Sequence, residues 1–201
     1  MTHFTREAIM EKFVEMLKTT PLDNITVSDI IEVCGISRST FDYHFHDLYD
    51  LLWAWIEQES ANYIDPSTDL DSWQDVFKRT LQGVENNKEA IGHIFPSAYE
   101  ERLSWDFFAL LAQRIYEIVC WQGRDLNMSD KLTREVAAFY RDMAFGFLLR
   151  YIQNRMNFDA KKYIDNMSVL FEDNIWCALK KYAVAAGEET EGNVTEKASH
   201  I

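Results

Sequence analysis

A short polar stretch near the start of the chain combines residue types that can contact a nucleic acid. Residues 37–40 read Ser-Arg-Ser-Thr, and Tyr43 and His44 follow one helical turn later. Hydroxyls and backbone amides at the start of a helix can bind phosphate oxygens or base edges. Arg38 can donate two hydrogen bonds to a guanine. We predict contacts to double-stranded DNA from Thr26, Ser37, Arg38, Ser39, Thr40, Tyr43 and His44.

The surrounding residues predict a helix-turn-helix that presents this stretch. The pattern gives a helix over 26–34, a turn at 35–36 and a second helix over 37–45. Ser37 is a favourable cap for the second helix. Gly35 lies at the turn, where a residue without a Cβ can adopt a conformation closed to others. In such a motif the second helix can enter the major groove.

The charge of the chain opposes tight DNA binding. The net charge is −13, and the first 52 residues contain four basic side chains against nine acidic ones. Since phosphate neutralisation supplies much of ordinary DNA affinity, each subunit should bind weakly and depend on a dimer bound to a palindrome. Asp42, inside the second helix, is interpreted in three ways: a solvated position, an acceptor from a cytosine amine, or a repulsive filter against wrong sites.

Composition predicts an all-α chain. Hydrophobic residues make up 47% of the 201 residues, with only 7 glycines and 3 prolines to interrupt helices. We expect an N-terminal three-helix helix-turn-helix domain over residues 1–50. A C-terminal antiparallel bundle for ligand sensing and dimerisation should cover 51–186, and a disordered tail 187–201, with about nine helices in all.

Several function classes lack their sequence signatures. No glycine-rich phosphate loop, HExxH or GxSxG motif occurs, so we predict no enzyme, no catalytic residues and no cofactor. The three cysteines are far apart and lack CxxC spacing, which predicts no metal site and fits a reducing, cytoplasmic location. No apolar run is long enough to predict a membrane span.

The segment ITVSDIIEVCGISRSTFDYHFHDLYDLL, residues 25–52, resembles the TetR family of transcriptional regulators. The matching positions are Thr26, Val27, Ile30, Gly35, Ile36, Ser37, Thr40, Phe41, His44, Phe45, Leu51 and Leu52. The resemblance implies a homodimeric repressor, or else an activator, that binds a pseudo-palindromic operator. The pattern RSTFDYHFHDLYDLLWAW is most similar to the branch that contains the activator of dihydroxyacetone kinase operons. That similarity implies a protein co-regulator as an alternative to a small-molecule effector.

Two positions depart from the family pattern. Asp42 stands where the family usually has an aromatic residue, and Leu48 stands where it often has a phosphate-binding lysine. Both departures weaken the expected grip on phosphates. The alternative function is therefore a TetR-like protein with weakened DNA binding that acts mainly through protein contacts.

Large aromatic residues are frequent in the C-terminal part of the chain. At any single position an aromatic side chain can be plain core, but a bundle of this size can also enclose an apolar cavity. We predict a pocket for an apolar or aromatic small molecule between its helices. The pocket candidates are Phe77, Trp105, Phe108, Tyr140 and Phe147.

The last two predicted helices each carry an apolar stripe. A terminal helix with apolar residues on more than one side needs two packing partners. We therefore expect these helices to pair with their symmetry mates in a homodimer. The predicted interface residues are Val136, Met143, Phe147, Met167, Phe171, Ile175 and Leu179.

Overall fold

The structure, a computed structural model, describes residues 2–63, 73–124, 126, 128–171 and 174–186. Within these ranges the chain forms ten α-helices, one 3-10 turn at Leu22–Asn24, and no strand. The helices are α1 Thr2–Leu17, α2 Val27–Cys34, α3 Arg38–His44, α4 Leu48–Tyr63, α5 Trp73–Asn86, α6 Lys88–Ile94, α7 Glu100–Gln122, α8 Asp130–Gln153, α9 Ala160–Phe171 and α10 Asn174–Ala186.

The all-α class is confirmed, with differences in detail. The described part has ten α-helices rather than about nine, since the segment 159–186, predicted as one helix, contains α9 and α10 on either side of residues 172–173, which lie outside the described residues. The proposed boundary between residues 50 and 51 falls inside α4. The predicted tail over 187–201 lies outside the described residues.

The first four helices share one apolar core. Ile9, Phe13 and Leu17 recur at helical spacing along α1, and their side chains are buried against Ile30 of α2 and Phe41 of α3. This core extends beyond the N-terminal helices into α6 and α7. The head, meaning α1–α3 and the first turns of α4, therefore packs directly against the remaining helices.

The remaining helices form a bundle around the long antiparallel pair of α7 and α8, the most extensive helix contact of the described chain. Two further apolar clusters fill this bundle. Polar contacts join α5 to its neighbours: Lys78 forms an ion pair with Asp165 of α9, and the Tyr151 hydroxyl of α8 donates to Glu85 Oε1 at 3.1 Å.

Helices α4 and α5 approach each other closely at Gly83. A Cβ atom at this position would lie 2.6 Å from Cδ2 of Tyr63, closer than packed side chains come. The Tyr63 hydroxyl in turn accepts a hydrogen bond from Asn86 Nδ2 at 3.0 Å. The glycine thus lets the end of α4 rest on α5.

We expect Gly83→Ala to destabilise the protein by about 1–3 kcal/mol relative to Gly92→Ala, since the new methyl group must displace the Tyr63 ring. A Cβ atom at Gly92, in α6, would have nothing within 4 Å. Both variants gain the helix propensity of alanine, so this gain cancels when their stabilities are compared. Urea unfolding at one fixed protein concentration measures the difference. Equal stabilities would show that the ring moves aside without cost.

Candidate functional site

The predicted helix-turn-helix is formed by α2, a glycine turn and α3. Gly35 ends α2 in the left-handed conformation, with φ 63° and ψ 34°, and its amide donates to the Glu32 carbonyl at 3.2 Å. A residue with a Cβ is sterically disfavoured in this conformation. The turn therefore depends on glycine at this position, as the sequence indicates.

A reciprocal cap fixes the start of α2. The Thr26 hydroxyl accepts from the Asp29 amide at 3.3 Å, while Asp29 Oδ2 accepts from the Thr26 hydroxyl at 2.6 Å and from its amide at 2.8 Å. These hydrogen bonds lower the pKa of the Asp29 carboxyl. The exposed Thr26 hydroxyl is thus oriented by the cap, and a DNA contact from it stays a prediction.

A cluster of hydroxyls marks the start of α3. Ser37 Oγ accepts from the Thr40 amide at 3.1 Å and lies 2.8 Å from both Ser39 Oγ and Thr40 Oγ1. Ser37 and Ser39 are exposed, and Thr40 is half-buried. The hydroxyls that the sequence predicts for DNA contact are therefore brought together at one end of the helix.

One side of α3 is buried and the other faces solvent. Phe41 is fully buried in the head core, and its ring centroid lies 5.8 Å from that of Phe45. On the outside, Tyr43 is 72% exposed and its ring meets His44 edge to face at 5.0 Å. Arg38 Nε donates to Asp42 Oδ1 at 2.9 Å on the same outer surface.

Ion pairs occupy two of the four basic side chains of the head. Arg38 pairs with Asp42, and Lys12 Nζ pairs with Glu15 Oε2 at 2.8 Å, which raises the pKa of the lysine. The guanidinium of Arg6 lies over the Phe45 ring, 5.2 Å from its centroid. These pairings reduce the positive charge available to phosphates still further.

Hydrogen bonds connect the head to the bundle at three places. The Tyr49 hydroxyl of α4 donates to Asp106 Oδ2 of α7 at 2.5 Å, while Arg102 stacks 3.7 Å from the Tyr49 ring centroid. Burial raises the pKa of Tyr49, and the hydrogen bond to Asp106 adds to the rise. Elsewhere His93 Nδ1 lies 2.7 Å from the Leu17 carbonyl oxygen, and the Ala98 amide donates to Asp23 Oδ1 at 3.0 Å.

An apolar cavity of about 120 Å³ lies inside the bundle between α4, α5, α6, α7 and α8. Among the described residues that line it, Glu59 alone carries a charge, and Asn87 Nδ2 donates to its Oε2 at 3.0 Å. The cavity and the head core share four residues: Trp55, Ile56, Ile94 and Leu103. A molecule in the cavity would therefore touch side chains that also support the head.

None of the five pocket candidates lines this cavity: Phe77, Trp105, Phe108, Tyr140 and Phe147. Phe107 and Phe145, which lie close to some of them in sequence, line it instead. Phe108 lies beneath the Arg141 guanidinium, and Trp105 is 67% exposed. Successive residues of a helix differ by about 100° in direction. Because α7 and α8 carry aromatics on several faces, periodicity alone could not identify the inward one.

The predicted dimer residues divide into three groups. Val136 and Leu179 are buried in the core of the protomer, which corrects their assignment to an intermolecular surface. Met143 is exposed, and Phe147 is half-buried against Tyr163 of α9. The structure does not describe the remaining side chains of the set: Met167, Phe171 and Ile175.

An exposed apolar strip on α8 includes one residue that sequence reasoning missed. Phe139 is 67% exposed one helical turn before Met143, and Gly146 follows with open space beside it. Residues 139, 143 and 146 have the i, i+4, i+7 spacing that places them on one helix face. That spacing is the signal for Phe139. Val136, three positions before Phe139, is buried within the protomer, which the spacing does not predict.

Two other kinds of site are absent from the described part of the chain. No group of three or more His, Cys, Asp or Glu side chains there could hold a metal ion. None of the helices in these ranges combines the length and apolar character needed to cross a membrane.

Comparisons with known proteins agree with the geometry of the head and the bundle. The family model TetR_C_8, a transcriptional regulator C-terminal region, matches residues 71–173, slightly more than half of the chain. The HTH-type dhaKLM operon transcriptional activator DhaS of Lactococcus lactis subsp. lactis (strain IL1403) is 29% identical over 92 residues. That match covers 45% of this chain and 49% of the relative, so it spans about half the length of that protein.

A solved structure is similar over a longer region. The dihydroxyacetone kinase operon activator DhaS matches with a TM-score of 0.61 and 20% sequence identity, covering 88% of this chain and 97% of that one. At this identity the likeness establishes the fold alone. The sequence relative is named as a transcriptional activator, and the family model describes a transcriptional regulator rather than an enzyme.

Proposed function

Because the chain belongs to the TetR family of transcriptional regulators, we propose that it binds a pseudo-palindromic DNA site as a homodimer and changes its affinity in response to an effector. The observation that carries the proposal is the packing shared by cavity and head: Trp55, Ile56, Ile94 and Leu103 contribute to both. Family members bind DNA and typically dimerise, and the outer surface of α3 carries the groups that would meet the major groove.

Helix α4 is the coupling element in this proposal. Its first turns are buried in the head through Leu48, Leu51 and Leu52, and its later turns line the cavity through Glu59 and Tyr63. A molecule that fills the cavity pushes on this helix. Because half-site spacing fixes the required distance between two recognition helices, a small rotation of each head changes DNA affinity.

The cavity supports a small apolar or aromatic effector. An apolar cavity of roughly 150 Å³ can hold a benzene-sized molecule, and this one has a comparable volume of about 120 Å³. A protein co-regulator is the second candidate for the signal, favoured by similarity to the operon activators. The names of those relatives also favour activation over repression, the default expectation for the family.

The exposed strip of Phe139, Met143 and Gly146 on α8 is the face that we assign to dimerisation. Tyr163 of α9 and Tyr182 of α10 are also partly exposed. The Tyr182 hydroxyl donates to Glu135 Oε2 of α8 at 2.6 Å, which places the start of α8 beside α10. Pairing this face with its symmetry mate would cover large apolar side chains that the protomer leaves in water.

The alternative is a TetR-family regulator that acts mainly through protein contacts. The excess of acidic residues in the head and the pairing of Arg38 and Lys12 with carboxylates favour it. The two functions differ in one measurable property, since only the first requires a specific DNA complex.

A gel-shift assay on the DNA upstream of the protein's own gene tests the main proposal. We expect a specific complex whose dissociation constant rises about tenfold or more for Arg38→Ala, because a guanine contact is lost. Arg134→Ala is the matched control: this α8 arginine also pairs with an aspartate four positions away and is 64% exposed. Absence of a specific complex even at low salt would support the protein-contact alternative.

We expect Met143→Glu to convert the dimer into a monomer at micromolar concentration, because it buries a charge at the centre of the assigned apolar face. Val33→Glu changes a similarly exposed apolar residue in the head and should leave the dimer intact. Sedimentation equilibrium separates the two species. A wild-type protein that sediments as a monomer would contradict the homodimer.

Filling the cavity should abolish binding of a small aromatic probe. Ser104 lines the cavity, so we expect Ser104→Trp to remove the saturation-transfer NMR signal of toluene that the wild type gives. Ala109, on the same helix, is exposed and outside the cavity lining, so Ala109→Trp should retain the signal. Equal signals from both variants would place the probe elsewhere.

A further inference from the structure

The outer surface of α3 contains an arginine that is already held by a carboxylate. Arg38 and Asp42 are four positions apart, which places them on one face of the helix. Arg38 Nε donates to Asp42 Oδ1 at 2.9 Å, with side-chain exposures of 60% and 49%. We propose that Asp42 is a specificity-determining positioning residue, which orients the Arg38 guanidinium for recognition of a guanine. This inference rests on the proposed DNA-binding function.

The chemistry of the guanidinium explains what the contact achieves. The group is a planar fork of five N–H donors, and two adjacent donors match O6 and N7 of guanine in the major groove. A carboxylate on Nε leaves the end of the fork, formed by the two Nη groups, for the base. An arginine fixed in this way loses less conformational entropy on binding than one that rotates freely.

Asp42 also has a second carboxylate oxygen on the exposed side of α3. An ionised carboxylate only accepts hydrogen bonds, so it is compatible with the amine of a cytosine or an adenine. It is repelled by a thymine O4 or a guanine O6 in the same place. The Arg38–Asp42 pair therefore prefers guanine opposite Arg38 and an amine-bearing base beside it. Asp42 would then act both as an acceptor from a cytosine amine and as a repulsive filter against wrong sites, two of the three interpretations that the sequence left open.

A competing effect of Asp42 gives the opposite result. If its charge acts only by cancelling that of Arg38 and repelling phosphates, removing it strengthens binding to every DNA sequence alike. If it positions Arg38, removing it weakens the preference for one base. An exposed ion pair at this spacing contributes little to fold stability, so either effect can be measured on a folded protein.

Selection from a randomised double-stranded DNA library, with the full-length protein, distinguishes these effects. The proteins are the wild type, Asp42→Ala, Arg38→Ala, the double variant and the control Glu15→Ala. Glu15 also forms an exposed ion pair in the head, with Lys12 on α1, so its loss makes the same charge change away from α3. Thermal unfolding followed by circular dichroism verifies that each variant is folded.

We expect the wild type to enrich a palindrome with one guanine per half-site, and Arg38→Ala to lower this preference strongly without abolishing it. Asp42→Ala should lower the preference for that guanine by about threefold or more and relax the choice at the neighbouring base. Glu15→Ala should retain both preferences. In the Arg38→Ala background, Asp42→Ala should cause no further loss at the guanine, because it acts there through the arginine.

Two outcomes would overturn the inference while leaving the proposed function intact. One is an Asp42→Ala protein that binds all sequences more tightly with unchanged base preferences. The other is a further loss at the guanine when Asp42→Ala is added to Arg38→Ala. Failure of the wild type to enrich any sequence is a different result, since it refutes the proposed function itself.

Discussion

The structure depends on helix α4, which is buried both in the core of the head and beside the cavity of the bundle. The first turns of α4 place Leu48, Leu51 and Leu52 in the head core, and its next turns place Trp55 and Ile56 where that core meets the cavity. Each buried leucine contributes about 1.5–3 kcal/mol to stability. Because protein interiors are densely packed, α4 cannot tilt at one end without repacking the other. Helix α4 therefore connects the head rigidly to the bundle, and in the proposed function it transmits the effect of the bundle to the head.

The acidity of the head limits how much of its DNA affinity could come from contacts to phosphates. Two of its four basic side chains are engaged with carboxylates, so few positive charges remain for phosphates. Affinity that does not come from phosphate neutralisation must come from hydroxyls, from bases, and from two heads acting together. Under the proposed function, a weakly binding head would need the dimer, and a small change in the spacing of the two heads would be sufficient to release the DNA site.

Local features could be read from the sequence, and non-local ones could not. The turn at Gly35 and the cap at Ser37 depend on residues within a few positions, so the pattern was enough to predict them. The cavity depends on how α7 and α8 rotate against each other, which a periodic pattern rich in aromatics does not determine. Val136 and Leu179 show the same limit: an apolar stripe indicates burial, but not whether the partner is the same chain or a second one.

Asp42 stands where the TetR family usually has an aromatic residue, and this difference affects both the affinity and the base preference of the proposed DNA binding. An aromatic side chain on the outer face of a recognition helix adds contact area that is largely indifferent to sequence. A carboxylate there removes that contact and repels phosphates, but it can restrain an arginine one turn earlier, as the Nε–Oδ1 distance of 2.9 Å shows. Under the role proposed for Asp42, affinity would decrease for all DNA, whereas the difference between correct and incorrect bases would increase. In the proposed dimer this difference would apply at both half-sites, because each would be contacted by its own Arg38–Asp42 pair. Binding by two heads together would therefore compensate for the loss of affinity per head.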